Sequence, residues 1–471
     1  MNKSQIPDVL KPVSRTTMSN VDIFTSVLEP VNKSQKRVIF NLRQQGILNA
    51  GSRLVMSLHT TNAVAGTAYL PVGAGIGACI DSAILRVGTR VIAKTENFGH
   101  YYMAKRSVHT HQQKQNIDMV LDGGVNNIGP SPNADGKYSF DVGSAIYTSK
   151  TTAFVNNPYK IVQSEEDCPT FSLALNDLFP MMRSNGLQLP LFAMKDQVSI
   201  EINLVQQKTG ETGKNCLFSA APTDSATTYG LNNFALHLDY LQYDDATMNK
   251  IRDMVNSPTG LPMIYDDLAC TTTSIPAVAQ PADNITTEVS VLREVGSAGL
   301  KVKNVLVVEK NAAANTLLGD YRSDSPVHPP KYNWRVNDRI IYPRKLFNTS
   351  QMRNEVEQVL KFPLSVPSCV YSHDVSNDFY TSKNGRQNEM LDANVIMEAQ
   401  NPVQMAGTTF LTGLNLEKGP NGEGTDIHHK NILYDRTQTF SRNDFSAIDL
   451  KFFVEYERSF VLSQGVLLVS A

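Results

Sequence analysis

The sequence lacks a bias toward either sign of charge. Its 43 Lys and Arg residues nearly balance 45 Asp and Glu residues, so the formal net charge is only -2. A protein that binds phosphate backbones or anionic membranes through its overall charge carries a clear basic excess. Any contact with nucleic acid is therefore predicted to be local. Only 19% of the residues are charged, a low content that suits protein–protein packing.

The sequence also lacks paired cysteines. The five cysteines form no C-x-x-C motif and stand singly at Cys79, Cys168, Cys216, Cys270 and Cys369. An odd number of scattered cysteines favours neither a disulfide framework nor a zinc site. The first twenty residues contain no apolar segment of the kind that a signal peptide needs. We therefore expect reduced thiols in an intracellular protein that is not secreted through a signal peptide.

A long apolar run able to form a membrane helix is missing as well. The stretch from Thr60 to Ile80 carries no charge, but it contains Pro71 and four glycines. Proline and glycine in this number break a helix. We predict a long loop here and no membrane span.

Alternation of apolar and polar residues is what the chain has in abundance. Residues 37–43, 197–205 and 301–309 alternate with period two and are rich in Val and Ile, which is typical of strands. Helical patterns are few and short, at residues 96–108, 245–255 and 349–360. The protein is therefore predicted to be mostly β.

An internal repeat divides the chain into two halves. Residues 85–107 align without gaps to residues 334–356, with Arg86 opposite Arg335 and Arg90 opposite Arg339. Both copies have the pattern strand, tight polar turn, strand and short helix. A second, weaker match pairs the strand that begins at Leu236 with the strand that begins at Leu450, and each ends on a tyrosine followed by an acidic residue.

The length agrees with two domains. The chain has 471 residues and a mass of 52.0 kDa, and single cores stop growing near about 250 to 300 residues. The predicted fold class is all-β, with two tandem jelly-roll β-sandwiches, short connecting helices and long loops. The predicted division is a polar N-terminal arm at 1–36, a first jelly roll at 37–244, a helical connector at 245–259 and a second jelly roll at 260–471.

Two blocks of the first half resemble a known family. Residues 80–108 and 171–204 resemble successive blocks of the double jelly-roll major capsid proteins of polinton-like viruses and virophages, in the adenovirus hexon-like superfamily. The second half resembles that family only through the duplication and its strand rhythm. The resemblance implies a homotrimer with a pseudo-hexagonal outline that tiles an icosahedral shell of a double-stranded DNA virus.

The resemblance also implies where the chain acts and what it meets. The expected location is the virion capsid, after synthesis and assembly inside the host cell. The expected partners are neighbouring capsomers, penton proteins, and minor capsid or cement proteins. The N-terminal arm is a candidate contact to an inner membrane or to the genome. Neither a small-molecule substrate nor a cofactor is expected, and the chain is expected not to be an enzyme.

Several motifs resemble chemical sites but have structural explanations. A phosphate-binding loop leads directly into a helix, and the glycines of residues 72–78 do not. His109 and His111 have the spacing of a metal pair, but glutamines follow where a carboxylate ligand would be needed. His428-His429 lies in a Gly-rich loop and is interpreted as solvated. No catalytic, cofactor-binding or metal residue is therefore predicted.

Two further groups were interpreted as packing or surface features. The carboxylates of Glu165-Glu166-Asp167 beside Cys168, and of Asp266-Asp267, sit on neighbouring residues, which point to opposite faces of a strand. Lys105-Arg106 with Tyr101-Tyr102 has the composition of a nucleic-acid contact, but its spacing fits a short helix that packs its aromatic residues inward.

Two alternative functions stay open at this point. The first is a carbohydrate-binding or carbohydrate-active jelly-roll protein, although Trp334 is the only tryptophan and sugar sites usually present several exposed aromatic rings. The second is a minor capsid or penton component, which would normally need a single jelly roll.

Overall fold

The structure is a computed structural model. It describes residues 21–34, 36–60, 68–69, 74–107, 121–122, 131–132, 138–139, 160–161, 170–182, 189–205, 218–219, 229–282, 285–297, 299–311, 330–346, 349–360, 411–418, 422–427, 431–440 and 446–469.

Most described residues lie in strands. The strands of the first half are β1 (Val21–Leu28), β2 (Asn32–Lys33), β3 (Arg37–Asn41), β4 (Ile47–Leu48), β5 (Arg53–Thr60), β6 (Ala68–Tyr69), β7 (Ile80–Val87), β8 (Arg90–Glu96), β9 (Ser131–Pro132), β10 (Tyr138–Ser139), β11 (Lys160–Ile161), β12 (Thr170–Ala174), β13 (Val198–Leu204), β14 (Phe218–Ser219) and β15 (Tyr229–Tyr243). Those of the second half are β16 (Leu261–Ile275), β17 (Thr287–Val295), β18 (Lys301–Asn311), β19 (Lys331–Val336), β20 (Arg339–Ile340), β21 (Leu411–Asn415), β22 (Thr425–Asp426), β23 (Ile432–Phe440), β24 (Ile448–Ser463) and β25 (Val466–Val469).

Helices are short, and three of them lie where the sequence predicts them. The α-helices are α1 (Phe98–Ser107), α2 (Leu175–Leu178), α3 (Asp245–Asn256) and α4 (Thr349–Val359), and short 3-10 turns occur at Gly75–Cys79, Pro180–Met182 and Leu191–Ala193. The predictions at 96–108, 245–255 and 349–360 are confirmed by α1, α3 and α4.

Each half forms a sandwich of two antiparallel sheets with the same strand order. In the first half, the order β1-β15-β5-β12 faces the order β3-β13-β7-β8. In the second half, β16-β24-β18-β21 faces β17-β23-β19-β20. The eight main strands of each half can be numbered one to eight in chain order. In both sandwiches one sheet then has the order 1-8-3-6 and the other has the order 2-7-4-5. This is the jelly-roll order, so the predicted fold class is confirmed.

The aligned repeat coincides with the same hairpin in both halves. Strands β7 and β8 join through Gly88-Thr89, and β19 and β20 join through Asn337-Asp338. Gly88 has a φ of 58°, while Asn337 and Asp338 have φ values of 51° and 63°. Two-residue loops with positive φ match the twist of the strands. The duplication predicted from the sequence is thus visible in the turns themselves.

The aligned arginines also make the same ion pair in each sandwich. Arg86 lies 3.3 Å from Glu201 on β13, and Arg335 lies 3.4 Å from Asp435 on β23. Each acid sits two residues beyond the cross-strand partner of its arginine. The weaker sequence match, between the strands that contain Leu236 and Leu450, holds at these two leucines, which are both buried in the interior. Its tyrosines differ, because Tyr243 packs beneath α3 whereas Tyr456 donates to Asp267.

Strand β1 lies within the segment that the sequence assigns to a polar arm. It pairs in register with β15 from Val21 to Leu28, and Phe24 and Leu28 pack against the first core. Its other positions include Asp22, Thr25 and Ser26, so the sequence pattern is that of an exposed edge strand and resembles a polar linker. The domain division itself stays a prediction.

Two hydrophobic cores follow the two sandwiches, and each contains residues from the other half. Tyr265, Phe460 and Leu462 of the second half belong to the first core. Tyr101 and Ala104 of α1 belong to the second core. The sandwiches are therefore joined by a packed seam and not by a linker alone.

Candidate assembly surfaces

The seam between the sandwiches begins at strand β8, an edge strand of the first sandwich. The Ile92 carbonyl oxygen accepts a hydrogen bond from the Tyr265 hydroxyl at 2.9 Å and one from Arg458 Nη1 at 3.3 Å. The Lys94 backbone N–H donates to Asp267 Oδ1 at 3.4 Å. Side chains of β16 and β24 thus satisfy backbone groups that an edge strand would otherwise leave open.

Asp267 is the central charge of the seam. Its Oδ2 accepts from the Tyr456 hydroxyl and from Arg458 Nη1, both at 3.1 Å, and its Oδ1 accepts from the Leu268 N–H at 2.9 Å. Burial raises the pKa of Asp267, and these three donors act in the opposite direction by stabilising the carboxylate. These three donors lie on β16 and β24, so the link to the first half is made by the Lys94 N–H and by Arg458, which also donates to the Ile92 carbonyl oxygen. Through these two residues the buried carboxylate fixes β8 against the second sandwich.

Helix α1 covers the outer face of the second sandwich near its edge. The Tyr101 ring lies 5.3 Å from the Phe453 ring. The Asn97 amide donates to Cys270 Sγ at 3.4 Å, and Lys451 Nζ donates to Asn97 Oδ1 at 2.9 Å. Asn97 has a φ of 50°, a conformation that asparagine tolerates better than most residues. Asn97, which directly precedes α1, therefore also ties the helix to the second sandwich.

The hairpin between β24 and β25 forms the other end of the seam. The Lys195 N–H donates to the Gly465 carbonyl oxygen at 2.8 Å, and the Gln464 N–H donates to the Val255 carbonyl oxygen at 2.7 Å. Arg90 Nη1 donates to the Leu467 carbonyl oxygen at 2.5 Å. A hairpin of the second sandwich is thus seated against the first sandwich and against α3.

The aromatic and basic residues of α1 are largely buried, as their spacing predicted. Tyr101, Tyr102 and Arg106 are all buried. The Tyr102 hydroxyl donates to Asp122 Oδ2, and Arg106 pairs with the same carboxylate at 2.5 Å. Lys105 is paired with Asp177 at 2.9 Å. These residues serve packing within the chain and do not form an exposed basic surface.

The adjacent carboxylates Asp266 and Asp267 have separate partners. Asp266 lies 2.6 Å from Lys303, whereas Asp267 faces Arg458. The prediction that neighbouring strand residues point to opposite faces is confirmed here. The interpretation of the pair as a solvated or subunit-contacting surface feature is wrong, because both side chains are buried and paired within the chain. The pair therefore lacks the arrangement that two catalytic carboxylates need to flank one substrate bond.

The glycine-rich loop is also structural where it is described. Gly75–Cys79 forms a buried 3-10 turn that runs directly into strand β7. A Cβ at Gly77 would lie 2.6 Å from the Tyr102 ring, so glycine permits the close approach of this turn to α1. No helix follows the loop, as the sequence indicated.

Three sequence candidates lie outside the described residues. These are His109 with His111, Glu165-Glu166-Asp167 with Cys168, and His428-His429. Within the part of the chain that the structure describes, no group of three His, Cys, Asp or Glu residues is placed to hold a metal ion. Among the same residues, no helix has the length and apolar content to cross a membrane.

A cleft of about 200 Å³ lies at the seam between α1, α4 and the sheet of β16, β24 and β18. Ligand sites more often measure roughly 300 to 1,000 Å³. Two of its charged residues, Lys105 and Asp266, are used in the ion pairs described above. The cleft is best explained as an imperfect fit between the two halves.

Sequence reasoning named Asp267 but assigned it no role in the seam, and it did not single out Arg458 or Lys94. One signal was available, since two adjacent aspartates, Asp266 and Asp267, interrupt a strand that is otherwise apolar or rich in threonine. In the structure β16 is buried at four consecutive positions, Tyr265–Leu268. Consecutive burial means that both faces are covered, which strict alternation along one sandwich does not explain.

No protein-family model and no curated protein sequence matches the chain. Solved structures do match. The chain is similar to VP54 of PBCV-1, fitted into a reconstruction of the virophage Sputnik, with a TM-score of 0.55, 11% identity, and coverage of 98% of this chain and 99% of that chain. It is similar to a chain of the Sputnik virophage structure, with a TM-score of 0.55, 10% identity, and coverage of 98% and 90%.

The chain is also similar to the Faustovirus major capsid protein, with a TM-score of 0.54, 9% identity, and coverage of 98% of this chain and 92% of that chain. At these identities the likeness shows the fold. The double jelly-roll resemblance predicted from residues 80–108 and 171–204 is therefore confirmed at the level of the fold, over nearly the whole chain.

Proposed function

We propose that the chain is a major capsid protein, which forms homotrimeric, pseudo-hexagonal capsomers that tile an icosahedral shell of a DNA virus. The observation that carries the proposal is the seam. One chain holds two sandwiches of the same strand order side by side, so three chains in a ring present six similar units. Such a block has nearly hexagonal edges, which suits a tiled surface.

Three features of the molecule support a structural role. The fold extends over the full length of solved capsid proteins, including the Faustovirus major capsid protein. The interior charges are engaged in ion pairs such as Arg436 with Glu309 at 2.6 Å. The seam is packed and hydrogen-bonded, which gives a rigid unit for assembly. We infer a protein that is not an enzyme and that acts in the virion capsid.

The domain division is part of the proposal. The pairing of β1 with β15 supports a first jelly roll that begins by Val21, followed by the connector at 245–259 and the second jelly roll from 260. Contacts of the capsomer with penton proteins, with minor capsid or cement proteins, and of the N-terminal arm with an inner membrane or the genome are proposed from the fold alone.

The experiment that tests the proposal is the solution mass of the purified chain by light scattering across a range of concentrations. We expect a stable species at three times the chain mass of 52.0 kDa. A strict monomer at every concentration would contradict the proposal. A monomer that also binds glycans in a glycan-array assay would support the carbohydrate-binding alternative instead.

A further inference from the structure

Strands β1 and β16 occupy the same edge position in the two sandwiches, but only one is covered. Ile23 pairs with Leu241, five residues after Leu236. Leu268 pairs with Glu455, five residues after Leu450. Ile23 and Leu268 are therefore equivalent. Leu268 is 5% exposed and packs in the core cluster that contains Tyr101 of α1, whereas Ile23 is 64% exposed.

Strands β8 and β20 show the same asymmetry, but here the covered strand belongs to the first half and the exposed strand to the second. The aligned repeat makes β20 and the residues after it equivalent to β8. Ile92 on β8 is fully buried in the first core, and its carbonyl oxygen accepts hydrogen bonds from Tyr265 and Arg458 across the seam, whereas its counterpart Ile341 is only half-buried. The neighbouring Ile340 is 54% exposed. Arg90 reaches a carbonyl oxygen across the seam, while its counterpart Arg339 is exposed.

Each half thus has one edge that is covered within the chain and one edge that is exposed, and the exposed edge of one half is equivalent to the covered edge of the other. The edge of β8 meets the edge of β16 within one chain, and the remaining two edges, β20 and β1, have no sandwich against them among the described residues. Exposed apolar side chains occur on both, namely Ile340 on β20 and Ile23 on β1. Val27, on the same face of β1 as Ile23, is 55% exposed. An apolar patch of this kind on an edge strand marks an interaction surface.

The two surfaces carry opposite charge. Residues 335–345 contain four basic residues and one acidic residue, namely Arg335, Arg339, Arg344, Lys345 and Asp338. Arg335 and Lys345 both pair with Asp435 of β23, so this surface holds four basic residues against two acidic ones and stays basic by two charges. Residues 21–29 and 237–245, which lie side by side on β1, β15 and the start of α3, contain five acidic residues and neither lysine nor arginine. These are Asp22, Glu29, Asp239, Asp244 and Asp245. Complementary charge of this kind favours one partner and one orientation.

We propose that the β19–β20 hairpin and residues 341–346 of one chain bind the outer face of β1 and β15 on a second copy of the chain. This inference rests on the proposed capsid function and names the contact that would join its subunits. The two surfaces are different patches, so the contact is heterologous. A heterologous contact closes into a ring when the rotation between copies allows it.

Cysteine cross-linking tests the contact directly. The variant with both Ile23→Cys and Ile340→Cys is treated with a short bismaleimide and run on a denaturing gel. We expect covalent trimers, because each chain then carries both reactive surfaces. Each single variant should give no more cross-linking than the wild-type chain, whose own cysteines set the background. A mixture of the two single variants should give covalent dimers.

Charge insertion provides a second readout with a matched control. Ile23→Glu and Ile340→Glu each place a carboxylate in the contact and should raise the concentration at which the trimer dissociates by at least about tenfold. The control is Ile264→Glu, since Ile264 also lies on an edge strand and is 63% exposed. This control should leave the trimer unchanged. Circular dichroism spectra establish that all three variants are folded.

The outcomes separate this inference from the proposed function. A wild-type trimer whose double-cysteine variant gives no cross-linked species, and which tolerates both glutamates, would overturn the inference and leave the capsid proposal standing. A wild-type chain that is monomeric at every concentration would overturn the capsid proposal itself. Loss of the trimer in the Ile264→Glu control as well would show that the contact is not confined to the β1 and β20 surfaces, and the inference would fail.

Discussion

The interiors of the two sandwiches have the same strand order but different chemistry. Arg436 on β23 and Glu309 on β18 form an ion pair that is buried in the second sandwich. The positions equivalent to them in the first sandwich are Ile202 and Leu54, both fully buried. The jelly-roll order is thus compatible with an apolar pair or a charged pair at the same two places.

The placement of aromatic residues differs as well. In the second core Tyr434 contacts both Trp334 and Phe452, with ring centroids 4.7 Å and 5.8 Å apart. The equivalent of Trp334 in the first core is Leu85, in the same hairpin strand. The duplication is therefore retained in topology, turns and surface ion pairs, while the core side chains have diverged. This explains why the identity between the halves is low.

The largest expected effect on stability comes from removing one partner of the buried ion pair. Arg436→Ile would leave the Glu309 carboxylate buried without its main partner, which costs about 3 to 5 kcal/mol. We expect a matching loss in the free energy of unfolding, measured by urea denaturation. An unchanged midpoint would contradict the assignment of Arg436 as the essential partner of Glu309.

The double variant Arg436→Ile with Glu309→Leu sharpens the comparison. It gives the second sandwich the residues that the first sandwich has at these places. Replacing a buried ion pair by apolar residues is often neutral or stabilising by about 1 to 4 kcal/mol. We therefore expect the double variant to recover most of the loss caused by Arg436→Ile. Additive losses in the two single variants and the double variant would show that the two cores are not interchangeable.

A smaller effect is expected at the close contact of the first half. Gly77→Ala would force a methyl group against the Tyr102 ring, and overpacking of this kind costs about 1 to 3 kcal/mol. The matched control is Gly51→Ala, where the nearest atom to the added Cβ would lie at 3.5 Å. Thermal unfolding of the two variants should show a lower midpoint for Gly77→Ala alone. Equal midpoints would mean that the turn moves away from α1 at little cost.

The smallest effects are expected at the two equivalent hairpin turns. Gly88→Ala places a side chain at a φ of 58°, which costs about 1 to 2 kcal/mol. Asp338→Gly relieves a non-glycine residue at a φ of 63° and is expected to stabilise by a few tenths to about 1 kcal/mol, since Asn-Gly is preferred in this turn. Chemical denaturation of both variants measures the change in the free energy of unfolding, which should fall for Gly88→Ala and rise for Asp338→Gly. A change of the same sign in both variants would contradict the equivalence of the two turns.

The sequence was sufficient for features that depend on local chemistry. The turns Gly88-Thr89 and Asn337-Asp338 follow from residues that tolerate positive φ, and α3 follows from its helical spacing. The strand β1 was missed because its apolar residues do not alternate with polar ones: Ile23 and Val27 lie on the exposed face, while Asp22 and Ser26 share the face of Phe24 and Leu28. The seam at Asp267 was missed because its partners lie far away in the chain. The pairing of β16 with β24 brings Arg458 close to it, and the docking of the two sandwiches brings Lys94.

The central claim is that the two sandwiches of one chain are two of six similar units in a closed ring. Electron-microscope class averages of the assembled species viewed along the ring axis test it most directly. The account predicts six lobes of similar size with a nearly hexagonal outline and threefold symmetry. Averages with three well-separated pairs of lobes, or with no closed ring, would contradict it.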